Sequence, residues 1–144
     1  MYDIERYLNV RSAFGASFAP DGTLSFRMDT TGTPQVWTTE SPGKWPTQRT
    51  FYDDRVTFAS WSPERHELVF GMDEGGNERQ QLFRLDADGT IRNLTETDAK
   101  HRWGGWSHDG DRLAFAPNRR DESTFDIYVQ GREETGDDAE LVHE

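Results

Sequence analysis

Cysteine is absent from this chain of 144 residues, which excludes a disulfide framework and a metal site built on thiolates. No apolar run approaches the length of a membrane span, and the first residues lack the basic and then apolar order of a signal peptide. We therefore expect a cytoplasmic protein that does not contact a membrane.

Lysine is nearly absent as well, because Lys44 and Lys100 are the only two beside fourteen arginines. The 27 aspartate and glutamate residues bring the net charge to -11. Carboxylate-rich, lysine-poor surfaces hold water and counter-ions and are used by salt-adapted proteins, so we expect a halophilic source; an ordinary acidic protein is the alternative. Nucleic acid is not expected as a partner, because neutralising phosphates needs clustered lysine and arginine.

One motif occurs three times. The segment 17–22 (SFAPDG) returns as segment 60–65 (SWSPER) and as segment 105–110 (GWSHDG), at spacings of 43 and 45 residues. A period of this length indicates that one supersecondary unit is stacked several times.

The same phase continues after each motif in a Leu-x-Phe pattern and then in an aliphatic residue followed by an aromatic one. Alternation with a period of two, bounded by Gly, Pro, Asn and Asp, is typical of β-strands. A unit of about 45 residues holds the four strands of a propeller blade. The sequence predicts an all-β fold, a β-propeller fragment of about three four-stranded antiparallel blades; an antiparallel sandwich is the alternative.

The repeats divide the chain into a lead-in, residues 1–12, and three blades, residues 13–55, 56–100 and 101–144. Propellers typically have about four to eight blades. We therefore expect a fragment of a longer protein, with a ring assembled from several copies as the alternative. The small residues before each repeated aromatic suit strands near a central axis, and we expect the aromatic side chains themselves to pack between neighbouring sheets: Phe18, Trp61 and Trp106.

Catalytic residues are not evident. The nucleophile of an α/β-hydrolase lies in a Gly-x-Ser-x-Gly turn; Ser17 comes closest to it but lacks the second glycine, so we interpret it as structural. The four histidines lack the helical i, i+4 spacing that directs two rings at one metal: His66, His101, His108 and His143. We expect no catalytic, cofactor-binding or metal-binding residue in this chain, and no cofactor.

Two polar loops and one sequon have alternative interpretations. Loop 73–78 is rich in the oxygen ligands of hard cations but lacks the calcium-loop pattern, so we interpret it as a hairpin connection. In loop 118–122, Arg119 and Arg120 could pair with a carboxylate of a substrate or a neighbouring domain, but we favour a solvated hairpin tip. Asn93 begins a glycosylation sequon, which we expect to be idle without an export signal.

The three aromatic-turn motifs resemble the WD40-like Pro-Asp repeats of Tol-B-type propellers. Similar repeats form the N-terminal propeller of prolyl-oligopeptidase-type serine peptidases, which include dipeptidyl aminopeptidases and acylaminoacyl peptidases. Loops 73–78 and 118–122, with the strands that follow them, resemble connections in those peptidases, especially in salt-adapted archaeal members.

The resemblance implies a propeller that caps a C-terminal α/β-hydrolase domain and restricts access to peptide-sized substrates. The catalytic serine, aspartate and histidine of such enzymes belong to that domain, which has no counterpart in these residues. The expected partners are therefore the hydrolase domain and the peptide substrate of a parent protein. The alternative is a non-catalytic Tol-B-like propeller that acts as a protein-binding scaffold.

Overall fold

A computed structural model describes residues 11–144 of the chain. The predicted lead-in, residues 1–12, lies outside the described residues except for its last two positions. The described chain folds into three four-stranded antiparallel sheets, and each sheet is built from strands that are consecutive in sequence. The predicted all-β fold of three four-stranded blades is confirmed.

The strands follow one another in a meander within each sheet, so the first lies at one edge and the fourth at the other. The first sheet comprises β1 (Ala13–Phe18), β2 (Leu24–Met28), β3 (Gln35–Thr39) and β4 (Thr47–Gln48). The second comprises β5 (Val56–Trp61), β6 (Leu68–Met72), β7 (Gln81–Leu85) and β8 (Ile91–Asn93). The third comprises β9 (His101–Trp106), β10 (Arg112–Pro117), β11 (Ile127–Gly131) and, after a 3-10 helix (Gly136–Asp138), β12 (Glu140–His143).

The first strand of every sheet carries a β-bulge. The register with the second strand shifts after Phe14 in β1, after Val56 in β5 and next to Gly104 in β9. A bulge bends the strand and increases its twist. In β9 the bend brings the two backbones close together, because a Cβ atom added at Gly104 would lie 2.8 Å from the carbonyl oxygen of Ala114.

Two hydrophobic clusters join the sheets. One fills the space between the first and second sheets, where Val36 of β3 meets Phe70 of β6, and the other joins the second and third sheets, where Val69 of β6 meets Phe115 of β10. Neighbouring residues of a strand point to opposite faces. β6 is therefore buried along its whole length, because each of its faces packs on another sheet.

The repeated aromatic residues pack as expected in two of the three sheets. Trp61 packs against the first cluster and Trp106 against the second. The indole Nε1 of Trp106 also donates to the carbonyl oxygen of Ser60 at 3.2 Å. The expectation is wrong for Phe18, whose side chain is 72% exposed. Each repeated aromatic packs toward the preceding sheet, and among residues 11–144 no sheet precedes the first.

The turns after the first strands differ in their backbone geometry, as the sequences suggest. Gly22 and Gly110 adopt φ values of 87° and 69°, which glycine adopts without steric cost. The second turn has no glycine; instead, the Ser62 hydroxyl accepts hydrogen bonds from the backbone N–H groups of Glu64 and Arg65 at 3.4 and 3.3 Å.

Candidate functional site

The meander order places the loops at two ends of the sheets. Connections between the second and third strands, and those that cross from one sheet to the next, lie at the same end, because successive antiparallel strands reverse direction. We call this end the crossover face; it consists of loops 29–34, 49–55, 73–80, 94–100 and 118–126.

The crossover face contains three open clefts. The first, of about 540 Å³, is lined by Asn77, Arg79, Lys100, Asn118, Arg119 and Glu122, among others, and we call it the arginine cleft. The second, of about 450 Å³, lies beside it and has Tyr52 and Phe83 in its walls, together with Asp54, Asp73 and Glu74. The third, of about 560 Å³, lies between loops of the first and second sheets and includes Asp53, Arg55 and Glu78.

The arginine cleft brings three cationic side chains, Arg79, Lys100 and Arg119, together beside the carboxylates of Asp98 and Glu122. The ammonium group of Lys100 lies 3.4 Å from the Glu78 carboxylate, and Nη2 of Arg79 lies 3.9 Å from Glu122. Both cations are about half exposed, at 44% and 48% of their side-chain surface. Pairs of this kind are weak, so the Lys100 side chain can turn toward a ligand. Arg79 is held more firmly, because its Nη1 also donates to the carbonyl oxygen of Asp98 at 2.7 Å.

Arg119 has a different environment in the same cleft. Its Nη1 donates to the carbonyl oxygen of Gly136 at 2.9 Å, and its guanidinium carbon lies 5.1 Å from the ring centre of Tyr128 and 5.8 Å from that of Phe115. Burial lowers the pKa of Arg119. Its Nε and Nη2 atoms are shielded from water and meet no acceptor among residues 11–144. The favoured solvated hairpin tip is therefore wrong for Arg119.

The neighbouring Arg120 has a structural role within its own hairpin. Its Nε and Nη2 donate to the two carboxylate oxygens of Asp126 at 2.7 and 2.9 Å, and its Nη1 donates to Glu144 at 2.8 Å. The hydrogen bonds to Arg120 lower the pKa of Asp126. This bidentate pair fixes the hairpin that carries Arg119.

The backbone of loop 73–78 is held by two carboxylates, one from the loop itself and one from loop 49–55. The Asp73 carboxylate accepts a hydrogen bond from the N–H of Glu78 at 3.0 Å, and Asp54 accepts one from Gly75 at 2.9 Å. Within the described part of the chain, no group of three or more His, Cys, Asp or Glu side chains has the arrangement to hold a metal ion. The loop joins the antiparallel strands β6 and β7, as a hairpin connection does.

The other sequence candidates lie apart from the arginine cleft. Ser17 lies near the end of β1, where its carbonyl oxygen accepts a hydrogen bond from the Ser25 hydroxyl. Asn93 lies at the end of β8, where its side-chain oxygen accepts from the backbone N–H groups of Thr95 and Glu96 at 3.0 and 3.1 Å.

The histidines are separated along the fold. His66 lies in the turn between β5 and β6, where its Nδ1 is 2.6 Å from the Asp21 carboxylate of the first sheet. The N–H of Thr23 and the His66 ring lower the pKa of Asp21 to about 2. His101 begins β9 and is buried, whereas His108 and His143 are exposed. No hydrogen bond joins a serine hydroxyl to a histidine ring in the described residues.

Sequence reasoning did not find that the Nε and Nη2 atoms of Arg119 are shielded from water, or that His101 is buried. The charge pattern of loop 118–122 is that of an ordinary solvated loop, and it does not show that Tyr128 of the next strand and Gly136 of a later loop enclose one arginine. The nearest signal in the sequence was the pair of arginines in loop 118–122, a residue type that binds carboxylates.

Comparison with known proteins gives likenesses of fold. No protein-family model and no curated protein sequence matches the chain. TolB from Acinetobacter baumannii is similar, with 15% identity and a TM-score of 0.66 over 90% of this chain and 32% of that one. A structure from a mechanistic study of two prolyl endopeptidases has 12% identity and a TM-score of 0.72 over 94% of this chain and 23% of that one. A protein assigned as TolB from Agrobacterium tumefaciens has 16% identity and a TM-score of 0.65 over 90% of this chain and 48% of that one.

These likenesses and the three sheets define the class of the fold as a β-propeller. The propeller is of the kind found in TolB and in prolyl endopeptidase structures. The chain spans less than half of the length of each of these proteins. Among the described residues, no helix is long and apolar enough to cross a membrane.

Proposed function

We propose that this chain forms part of the propeller domain of a serine peptidase of the prolyl oligopeptidase family. In this role the blades cap a separate α/β-hydrolase domain and limit its substrates to peptides. The chain itself supplies shape and binding groups, and the acyl transfer takes place at a serine of the hydrolase domain. The partners are that domain and the peptide substrate.

The grouping of three open clefts on the crossover face carries this proposal. Clefts of this size suit small ligands and short peptides, and their walls come from loops that a rigid set of sheets holds in place. The opposite ends of the sheets are closed in part by contacts between turns, such as the His66–Asp21 pair. A capping domain requires a face that binds peptides, and it needs no nucleophile of its own.

The likeness to the prolyl endopeptidase structure supports the peptidase in particular. It extends over 94% of the chain and has a TM-score of 0.72, above the values of 0.66 and 0.65 for the two TolB-type structures. The loops that resemble peptidase connections, 73–78 and 118–122, both line the arginine cleft or the clefts beside it.

The test uses the complete protein encoded by the reading frame that contains this chain. We expect a fluorophosphonate probe to label it at a serine, and we expect it to cleave short chromogenic peptides but not folded proteins. The 144-residue chain alone is the control and should remain unlabelled. A complete protein that is folded but not labelled would rule out the peptidase.

A non-catalytic scaffold of the TolB type is the second candidate, and two of the three structural likenesses favour it. A scaffold binds another protein through its loops and needs no hydrolase domain. It predicts a folded complete protein that fluorophosphonate does not label and that co-purifies with a protein partner in a fixed ratio. The labelling experiment therefore separates the two candidates.

We further propose that the protein is cytoplasmic and salt-adapted. The net charge of -11 repels itself within the folded state, and salt screens that repulsion. The midpoint of thermal unfolding should therefore rise as potassium chloride is raised from 0.1 M to 2 M. A midpoint that is unchanged over this range would contradict salt adaptation.

A further inference from the structure

We propose that the Nε–Nη2 edge of Arg119 binds the terminal carboxylate of a short peptide in the arginine cleft. The inference rests on the proposed function, because a capping domain meets peptides on this face. It names the Arg119 guanidinium as a binding group on that face and a free C-terminus as the feature of the substrate that it recognises.

The free edge of the guanidinium is the first step of the argument. Nη1 of Arg119 already donates to Gly136, and the guanidinium carbon lies 5.1 Å from the ring centre of Tyr128 and 5.8 Å from that of Phe115. Only Nε and Nη2 have no acceptor among the described residues. These two N–H groups point in parallel from one edge, and that geometry matches the two oxygens of a carboxylate.

The shielding of this edge from water is the second step. Buried donors without partners cost free energy, and native proteins rarely leave them without a structural or functional reason. Burial also makes an ion pair stronger than it is in water. A carboxylate that reaches the edge gains a bidentate pair in a protected place, and it satisfies both donors at once.

The lining of the cleft provides access and selectivity. Lys100 is half exposed and only loosely paired, so it can turn aside to admit a ligand, and Arg79, which donates to the carbonyl oxygen of Asp98 at 2.7 Å, adds positive potential beside it. The net charge of -11 gives the chain as a whole a field that repels carboxylates, so a cleft with three cations is a local exception. A cleft of about 540 Å³ has room for a peptide of a few residues.

The side chains of Asn77 and Asn118 make a peptide more suitable than a small free acid. Both line the cleft, and each already has a place in its loop: Asn77 accepts from the N–H of Arg79 at 2.8 Å and Asn118 from that of Lys100 at 2.8 Å. The amide nitrogen of Asn77 has no hydrogen-bond partner among residues 11–144, so it can donate to a peptide carbonyl group, which acetate lacks.

The experiment measures the binding of two peptides to the 144-residue chain by isothermal titration calorimetry at one fixed salt concentration. Both are short N-acetylated alanine peptides; one ends in a free carboxylate and the other in an amide. We expect the acid to bind about tenfold more tightly than the amide, as a bidentate charged pair allows. Equal affinities, or no binding of either peptide, would overturn the proposal.

Variants assign the preference to one side chain. Arg119→Lys keeps the charge but loses the paired edge, and we expect it to lose most of the preference for the acid, as should Arg119→Gln. Arg112→Gln is the matched control, because Arg112 is exposed on β10 and pairs with Glu140 at 3.6 Å; it should keep the full preference. Near-ultraviolet circular dichroism checks that each variant is folded.

The outcome separates this inference from the proposed function. A preference for the acid that survives in both folded Arg119 variants overturns the carboxylate site. This holds whether or not fluorophosphonate labels the complete protein. A complete protein that is not labelled overturns the peptidase, even where the isolated chain prefers the acid through Arg119.

Discussion

Nε of Arg84 lies 3.9 Å from the Glu67 carboxylate where the second and third sheets meet, and the two side chains are only 5% and 7% exposed. Burial raises the pKa of Glu67, and the positive charges of Arg132 and Arg84 oppose that shift. Arg84 also donates to Asp86 at 2.8 Å and lies 3.2 Å from Glu133 of the third sheet. One buried cation therefore holds acidic groups from two sheets together.

Replacing Arg84 by methionine should lower the free energy of unfolding, but by less than the about 3–5 kcal/mol that a fully uncompensated buried charge costs, because Nε of Arg132, 3.4 Å from Glu67, remains as a counter-charge. The double variant Glu67→Leu/Arg84→Met should recover most of that loss. Urea unfolding, followed by tryptophan fluorescence, measures both. Arg112→Met removes an exposed pair and should change the free energy by less than about 1 kcal/mol. A double variant as unstable as the single one would contradict this account of the joint.

The middle sheet should be more sensitive to loss of a core aromatic than the first sheet. Phe70 is fully buried and stacks on Phe83 with 5.3 Å between ring centres, whereas the equivalent Phe26 is only partly buried. Phe70→Ala should cost about 3–5 kcal/mol of unfolding free energy, and Phe26→Ala should cost less than half as much. Denaturant titration of the two variants checks the ratio. Equal costs would show that the open face of the first sheet is covered in solution.

The repeat was visible in the sequence because β-blades impose it on the chain. In β6, Leu68 and Phe70 lie on one face and fill the first cluster, and Val69 between them fills the second. The tight turns need glycine at positive φ, as at Gly22. These are local requirements, so they leave a periodic pattern. The exposure of Phe18 was not predictable in the same way, because it depends on which sheet precedes the first.

Gly104 should resist any side chain. An added Cβ would lie 2.8 Å from the carbonyl oxygen of Ala114, and a backbone atom cannot move without breaking the pairing of β9 with β10. Gly104→Ala should lower the unfolding free energy by about 1–3 kcal/mol. Gly131→Ala is the matched control in β11, since the atoms nearest to its Cβ belong to the flexible carboxylate end of Glu134, at 3.2 Å. Thermal unfolding should show a clear loss for the first variant and a small one for the second.

The candidate site was less visible than the fold, for a physical reason. Arg119 is distinctive because Gly136 and two aromatic rings enclose it, and those contacts are made across the fold without any fixed spacing in the sequence. A loop with two arginines is compatible with a solvated tip or a buried guanidinium. Only the packing around the loop decides between them.

Buried His101 links the crossover face to the core. Its side chain is 1% exposed. Its Nδ1 lies 3.0 Å from the carbonyl oxygen of Gln80, to which it donates, and its Nε2 lies 3.2 Å from the Thr97 hydroxyl. Burial lowers the pKa of His101 to about 4, and the nearby charge of Arg119 acts in the same direction.

This depressed pKa should make the protein less stable as the pH falls below neutrality. The unfolded chain binds a proton at His101 near pH 6.5, whereas the folded chain does so only near pH 4, so the unfolded state holds more protons between these values. The free energy of unfolding should therefore drop by about 2 kcal/mol between pH 7 and pH 5 through this residue alone. His101→Gln should remove that part of the slope, whereas His108→Gln, in an exposed turn, should leave it unchanged. Urea unfolding at several pH values measures the slope, and equal slopes for the native chain and His101→Gln would show that His101 is not held neutral by its surroundings.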